Sequence, residues 1–187
     1  MKPACMRAAA AAAVLLSLWA AVGCRKKEPP GGTAGEAVDL NALGEIQHYQ
    51  EILRKDPNNL QALINVGNLY SDTGQDRLAI EHYRRALVLD PRNANVRTAM
   101  AICYRRRGDP DKAIEELKKA ISIDPKHAPS RNNLGLILIH DKHDVEGGVK
   151  AWEALLENIP DYPYRDSLRS EIARMRATID SVPGKSR

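Results

Sequence analysis

The stretch "RRALVLDP", residues 84–91, decides the fold because it returns 34 residues later as "KKAISIDP", residues 118–125. Both copies join two basic residues and an alanine to a short apolar run that ends in Asp-Pro. The same dipeptide stands at Asp56–Pro57, 34 residues before Pro91, and Pro160 follows Pro125 by 35 residues. A fixed period in this range is typical of a repeat array whose units stack on one another.

Each period has the pattern of two helices. In residues 60–93 the apolar positions fall three and four apart in two successive runs, as they do on one face of a helix. A glycine separates the runs and a proline ends the second, since the residue before a proline is disfavoured in a helix. We therefore predict an antiparallel helix pair in each period. The residues that carry the pattern are Leu63, Val66, Gly67, Tyr70, Gly74, Ala79, Tyr83, Ala86 and Pro91.

This pattern resembles the tetratricopeptide repeat, and the resemblance extends over roughly residues 40–160. It implies an all-α fold, a right-handed α-solenoid of helix-turn-helix repeats with a C-terminal capping helix. It implies no particular function, because function depends on the site that a fold carries. The predicted segments are a degenerate half-repeat at 38–59, repeats at 60–93, 94–127 and 128–161, the last with a one-residue insertion, a capping helix at 162–180 and a tail at 181–187.

The third repeat departs most from the pattern. Its turn, within "DKHDVEGGV" at residues 141–149, is longer than the others. Gly147 and Gly148 stand where a helix should begin, and glycine is a weak helix former. We expect a softer second helix in this repeat, held mainly by Trp152.

The N-terminus indicates export. Basic residues precede an uncharged apolar run at 8–23, which is too short to span a bilayer but has the length of a signal-peptide core. "AVGC", residues 21–24, resembles a bacterial lipobox, although Ala21 replaces the large aliphatic residue of that pattern. We predict a signal peptide at 1–23, lipidation of Cys24, and a flexible tether at 24–37. An uncleaved anchor and ordinary cleavage remain as alternatives.

These features predict a protein outside the cytoplasm. We expect it to be anchored to a bacterial membrane as a lipoprotein and to face the periplasm or the cell exterior. Of its three cysteines, only Cys103 would remain free in the mature chain, and its helical position predicts a small buried apolar residue. The net charge of +4 does not indicate a nucleic-acid partner.

The sequence does not favour catalysis. It contains neither a glycine-rich phosphate loop nor a Gly-x-Ser-x-Gly motif, and we expect no cofactor. The one alternative is the loop His140–Asp144, "HDKHD", whose imidazoles and carboxylates are possible metal ligands. A solvated polar loop is the simpler interpretation, and we assign no metal site.

The predicted binding site is the concave groove that the first helices of the repeats line. Repeat arrays use such surfaces to bind a protein or peptide partner. The charged clamp for chaperone C-termini known in this family is not expected, because only Asn68 matches it. Alternatives are that the groove is covered by the terminal helix, or that the protein is a structural subunit that self-associates. The predicted groove residues are Ile64, Asn68, Ile102, Arg105, Asn132, Leu136 and Ile139.

Overall fold

The computed structural model describes residues 40–181, which form eight helices and no strand. The all-α expectation is confirmed. The predictions for residues 1–39, which include the signal peptide, Cys24 and the tether, and for the tail after residue 181 lie outside the described residues. The helices are α1 (Leu40–Lys55), α2 (Leu60–Asp72), α3 (Asp76–Leu89), α4 (Ala94–Arg106), α5 (Pro110–Ile123), α6 (Ala128–His140), α7 (Val145–Asn158) and α8 (Arg165–Asp180).

Side-chain caps fix where most of the helices begin. Asn59 and Asn93 accept hydrogen bonds from the backbone N–H groups of residues 62 and 96, and His127 takes the equivalent place before α6. Asp109 and Asp144 cap α5 and α7 in the same way. These bonds satisfy backbone donors that have no partner inside the first turn of a helix.

The turns inside the repeats depend on a left-handed residue. Gly74 and Gly108 have φ values of 72° and 76°, which suit glycine because it has no Cβ. In the third repeat the turn is four residues long, and His143 is left-handed at φ 55°. Helix α7 begins at Val145, so the glycine pair lies within its first turn rather than before it.

Each repeat packs its first helix against its second at a position with little or no side chain. A Cβ on Gly67 would lie 2.7 Å from Cε1 of Tyr83, whose side chain is 1% exposed. The second repeat has Ala101 at the equivalent position, and the smaller Leu117 in place of the aromatic ring. The residue on the first helix is therefore smaller where the facing side chain on the second helix is larger, so the two helices pack closely in both repeats.

The buried side chains form two separate hydrophobic clusters. The first extends from Ile46 on α1 to Ile137 on α6, and the second joins α6, α7 and α8 around Trp152 and Leu155. Among the described helices, α8 packs on α7 alone, and it covers the end of the second cluster. It thus has the position that a terminal capping helix requires.

The first and second helices of the repeats lie on opposite sides of the array. Helix α4 contacts both α2 and α6, whereas α3 and α5 do not contact each other within the described chain. We call the side formed by α2, α4 and α6 the inner surface and the other side the outer surface. Within residues 40–181 no helix combines the length and hydrophobicity needed to cross a membrane.

Candidate functional site

Three of the predicted apolar groove residues are partly exposed on the inner helices. Ile64 rests against the first hydrophobic cluster and Leu136 against the second, so each has one buried side. Ile102, on the helix between them, is half-buried and belongs to neither cluster. Of these three residues, Ile102 is therefore the one whose apolar side chain is least involved in core packing.

Ile139 does not share this placement. Its side chain is 7% exposed and lies in the second cluster, and a Cβ added to Gly148 would overlap its Cγ1. Residue 148 takes the place of Ala79 and Ala113 in the earlier repeats, so the missing methyl group leaves room that Ile139 fills. The prediction that Ile139 lines an exposed strip is wrong, because this side chain is part of the core.

Asn68 is exposed and has a fixed orientation. Its Oδ1 accepts a hydrogen bond of 2.7 Å from the hydroxyl of Tyr83. Burial raises the pKa of that hydroxyl, so Tyr83 stays protonated and remains the donor. With its oxygen engaged, the Asn68 amide keeps its nitrogen free to donate to a ligand.

Arg105 and Asn132 are half-buried at the edge of the same surface. Nε of Arg105 donates to Oδ2 of Asp141 at 2.7 Å, a pairing that sequence reasoning missed. The backbone carbonyl of Asn132 accepts from Nε1 of Trp152 at 3.2 Å, which places this part of α6 against α7. Arg105 is thus held by a carboxylate rather than left free to meet a ligand.

A polar seam joins α4 to α6 beneath the inner surface. The hydroxyls of Thr98 and Ser130 are both buried and lie 2.6 Å apart. His127 extends the seam, with Nδ1 2.7 Å from the Ser130 hydroxyl and Nε2 2.9 Å from Oδ1 of Asn95. Burial lowers the pKa of His127. The spacing within α4 alone, which puts Thr98 in line with Ile102, does not reveal this burial.

Two family models for the tetratricopeptide repeat match the chain, one over residues 60–93 and the other over residues 77–134. The chain contains tetratricopeptide repeats. The match over residues 60–93 coincides with the first repeat, from the start of α2 to the residue before α4, and the match over residues 77–134 extends from α3 into α6.

Solved structures share the tetratricopeptide fold at low sequence identity. A crystal structure of MamA is 23% identical, covers 75% of this chain and 90% of its own, and superposes with a TM-score of 0.62. The Sgt2 tetratricopeptide domain from Aspergillus fumigatus is 23% identical, with coverages of 68% and 85% and a TM-score of 0.59.

A third structure is the first tetratricopeptide domain of Spaghetti (RPAP3) bound to an HSP90 peptide. It is 21% identical, with coverages of 67% and 97% and a TM-score of 0.58. A search of curated proteins finds no match to the chain. At these identities the likeness to solved structures establishes the fold alone.

The tetratricopeptide array uses the carboxylates of its long turn for structure. Asp144 accepts the backbone N–H of Gly147 at 2.8 Å, and Asp141 is paired with Arg105. Lys142 reaches Asp111 on α5 at 2.7 Å. Residues 40–181 contain no cluster of three or more potential metal-ligating side chains. The metal-site alternative for His140–Asp144 therefore gains no support from this structure.

Cys103 is fully buried between the repeats, as its helical position predicted. Its Sγ lies 3.5 Å from the hydroxyl oxygen of Ser71 on α2. Burial raises the pKa of the thiol, which disfavours the nucleophilic thiolate. Cys103 thus contributes to packing between α2 and α4.

Proposed function

We propose that the protein is a non-catalytic protein–protein interaction module that binds a peptide or helix along its inner surface. The observation that carries the proposal is the set of partly exposed apolar side chains on three successive inner helices, Ile64, Ile102 and Leu136. Asn68 and Asn132 flank them with polar groups. Apolar surface rimmed by polar groups is typical of interaction sites.

The position of α8 supports an open inner surface. Helix α8 packs on α7 and on no other described helix, so it does not lie across α2, α4 or α6. The array thus buries its C-terminal apolar end without using the groove. This argues against the alternative in which the terminal helix occupies the groove.

The ligand should be anchored by apolar side chains rather than by a terminal carboxylate. One structural neighbour holds an HSP90 peptide, which supports peptide binding in general for this fold. The positions that carry Lys and Asn in the family's carboxylate clamp are here occupied by Ile64, Asn68, Ala99, Pro129 and Asn133. An amphipathic helix laid into an apolar groove is the recognition mode that this surface suits.

Site-specific photo-crosslinking tests this proposal. A photoreactive amino acid at residue 102, installed in cells that make the full chain, should give a discrete adduct. The same probe at Lys118, which is exposed on α5, is the matched control and should give none. Adding Leu136→Asp should abolish the adduct from residue 102. Equal adducts from both positions would place the partner elsewhere, and an adduct with a second copy of the chain would establish self-association.

We further propose that the module is exported and tethered to a bacterial membrane through lipidated Cys24, where it acts as a scaffold or assembly factor. Support comes from the apolar run at residues 8–23, the "AVGC" stretch and the charged, Pro- and Gly-rich residues that follow it.

Metabolic labelling with palmitate tests the anchor. The wild-type protein should incorporate label and partition into detergent, whereas Cys24→Ala should do neither. Cys5→Ala is the matched control, since it removes another N-terminal cysteine and should leave labelling unchanged. Label that persists in Cys24→Ala would exclude lipidation at this residue.

A further inference from the structure

A trough runs along the outer surface between α3 and α5, with α4 as its floor. It contains two adjoining cavities of about 630 and 470 Å³ that share Arg84, Tyr104 and Lys112. The buried side chains of Met100 and Tyr104 form the floor, and the buried Ile80 lines the α3 side. We call this feature the outer trough. It lies on the opposite side of α4 from the inner surface.

The larger cavity is strongly cationic. Its lining includes five basic side chains and two carboxylates. Most of these charged side chains are exposed and lie at the rim of the cavity, in contact with water. The basic residues are Arg77, Arg84, Arg85, Arg107 and Lys112, and the carboxylates are Glu81 and Asp109.

Most of this positive charge has no carboxylate partner. Arg84 donates to the hydroxyl of Tyr104 at 2.7 Å, and Arg85 donates to the carbonyl of Pro57 at 2.8 Å, so both are held by neutral acceptors. Arg77 makes no hydrogen bond or ion pair with any residue in the range 40–181. The ion pair in this cavity joins Lys112 to Asp109.

Tyr104 organises the centre of the trough. The guanidinium carbon of Arg84 lies 6.0 Å from its ring centroid, and Nζ of Lys112 lies 5.8 Å from it. Two cations are thereby held over one aromatic ring, which attracts them through its quadrupole. An anion that enters between them would meet positioned donors.

The smaller cavity has an apolar wall. Leu87 and Val88 line it on α3, and Val88 is 79% exposed, an unusual position for a large aliphatic side chain. The carboxylate of Glu116 is already paired, with Arg97 at 2.7 Å and Lys119 at 2.8 Å. The trough therefore combines a half whose positive charge is mostly unpaired with a half that has an apolar wall on α3.

We propose that the outer trough is a second binding site, which takes an acidic peptide segment from a partner protein, with carboxylates over Tyr104 and an apolar side chain against Leu87 and Val88. The charge of the larger cavity selects carboxylates. A compact anion would leave the apolar wall formed by Leu87 and Val88 unused. A flat anionic membrane or a nucleic acid would meet the rims first, where Glu81 and Glu115 are exposed.

The proposal is tested with the purified full chain and a fluorescein-labelled nonapeptide made of three Glu-Glu-Leu units, followed by anisotropy. The control peptide has glutamine in place of each glutamate. The variant Arg77→Gln with Arg84→Gln should weaken binding about tenfold or more. It removes two guanidinium groups, and hydrogen bonds to charged groups contribute more free energy than neutral hydrogen bonds. The matched control, Arg92→Gln with Lys126→Gln, removes the same charge outside the trough and should change affinity less than twofold.

Two further variants separate this site from the inner surface and from misfolding. Tyr104→Phe keeps every charge but removes the acceptor that positions Arg84, and should weaken binding a few-fold with helicity unchanged. Ile102→Asp should leave binding of this peptide intact.

Several results would overturn the proposal: absence of binding, equal binding of the glutamine peptide, equal losses in the trough and control variants, or loss in Ile102→Asp. The same holds if phosphatidylglycerol vesicles or duplex DNA bind more tightly than the peptide and lose that binding in the trough variant.

Discussion

Gly135 lies against the indole ring of Trp152, so closely that a Cβ at residue 135 would overlap the ring. The contact repeats the relation between Gly67 and Tyr83 two repeats earlier. An aromatic ring on the second helix is thus accommodated by the absence of a side chain on the first.

This relation predicts that Gly135→Ala and Gly67→Ala destabilise the fold. Overpacking costs about 1–3 kcal/mol, which outweighs the roughly 1 kcal/mol that alanine gains in a helix. Thermal unfolding followed by circular dichroism should show a lower Tm for both. Gly44→Ala is the control, since a Cβ there meets nothing within 4 Å, and it should raise Tm. A rise in Tm for Gly135→Ala would contradict the assigned packing.

The ion pair between Arg97 and Glu116 predicts that a single substitution lowers the stability of the fold much more than a double substitution does. Nη1 of Arg97 lies 2.7 Å from Oε2 of Glu116, both side chains are mostly buried, and Nε of Arg97 has no acceptor. Glu116→Ala should lower the free energy of unfolding by several kcal/mol, up to about 3–5, because it leaves a buried charge unpaired.

Replacing both residues, with Arg97→Met and Glu116→Leu, should restore stability to within about 1 kcal/mol of the wild type, since hydrophobic packing replaces a buried pair at little cost. Urea unfolding of the three proteins provides the comparison. A double variant as unstable as Glu116→Ala would show that the pair is needed for the fold.

His127 predicts a dependence of stability on pH. In its neutral form Nδ1 accepts the backbone N–H of Ser130 and caps α6, and burial lowers its pKa. The unfolded chain therefore binds the proton more readily than the folded one. Stability should be full above the unfolded pKa of about 6.5 and should decline as the pH falls through the lower folded pKa.

Urea unfolding between pH 7.5 and 5 measures this effect. His127→Asn retains a capping side chain without the titration, so the decline in this range should become shallower. An identical pH profile in the wild type and His127→Asn would assign the decline to other groups.

Cys103 should resist alkylation in the native state. Its thiol is fully buried and its raised pKa keeps the thiolate scarce. Iodoacetamide labelling resolved by mass spectrometry should modify residue 103 only in denaturant. Rapid native labelling would mean that α2 and α4 separate on the timescale of the reaction.

Most of the helical architecture could be predicted from the sequence, because each repeat gives its own stop signals. The prolines at 57, 91 and 125 and the glycines at 74 and 108 mark helix ends through backbone geometry alone. Such local constraints do not depend on which side chains meet across the fold.

The candidate binding surfaces could be predicted only in part. Helical spacing placed Ile64, Ile102 and Leu136 on the inner helices. It could not show that Ile139 fills the space beside Gly148, although glycine at an alanine position was a usable signal. Contacts such as Thr98 with Ser130 depend on the offset between neighbouring helices, which no spacing within one helix reveals.

The two hydrophobic clusters imply two cooperative units in one array. Helix α6 is shared between them, with Ile137 in the first cluster and Ile139 in the second, and its buried contact with α4 adds the polar pair of Thr98 and Ser130 to the apolar packing of Ile137. Repeat arrays are stabilised by neighbour contacts, so a segment whose core is separate from the rest can open alone. Amide hydrogens of α7 and α8 should then exchange with solvent deuterium as a group, before those of α2 to α5.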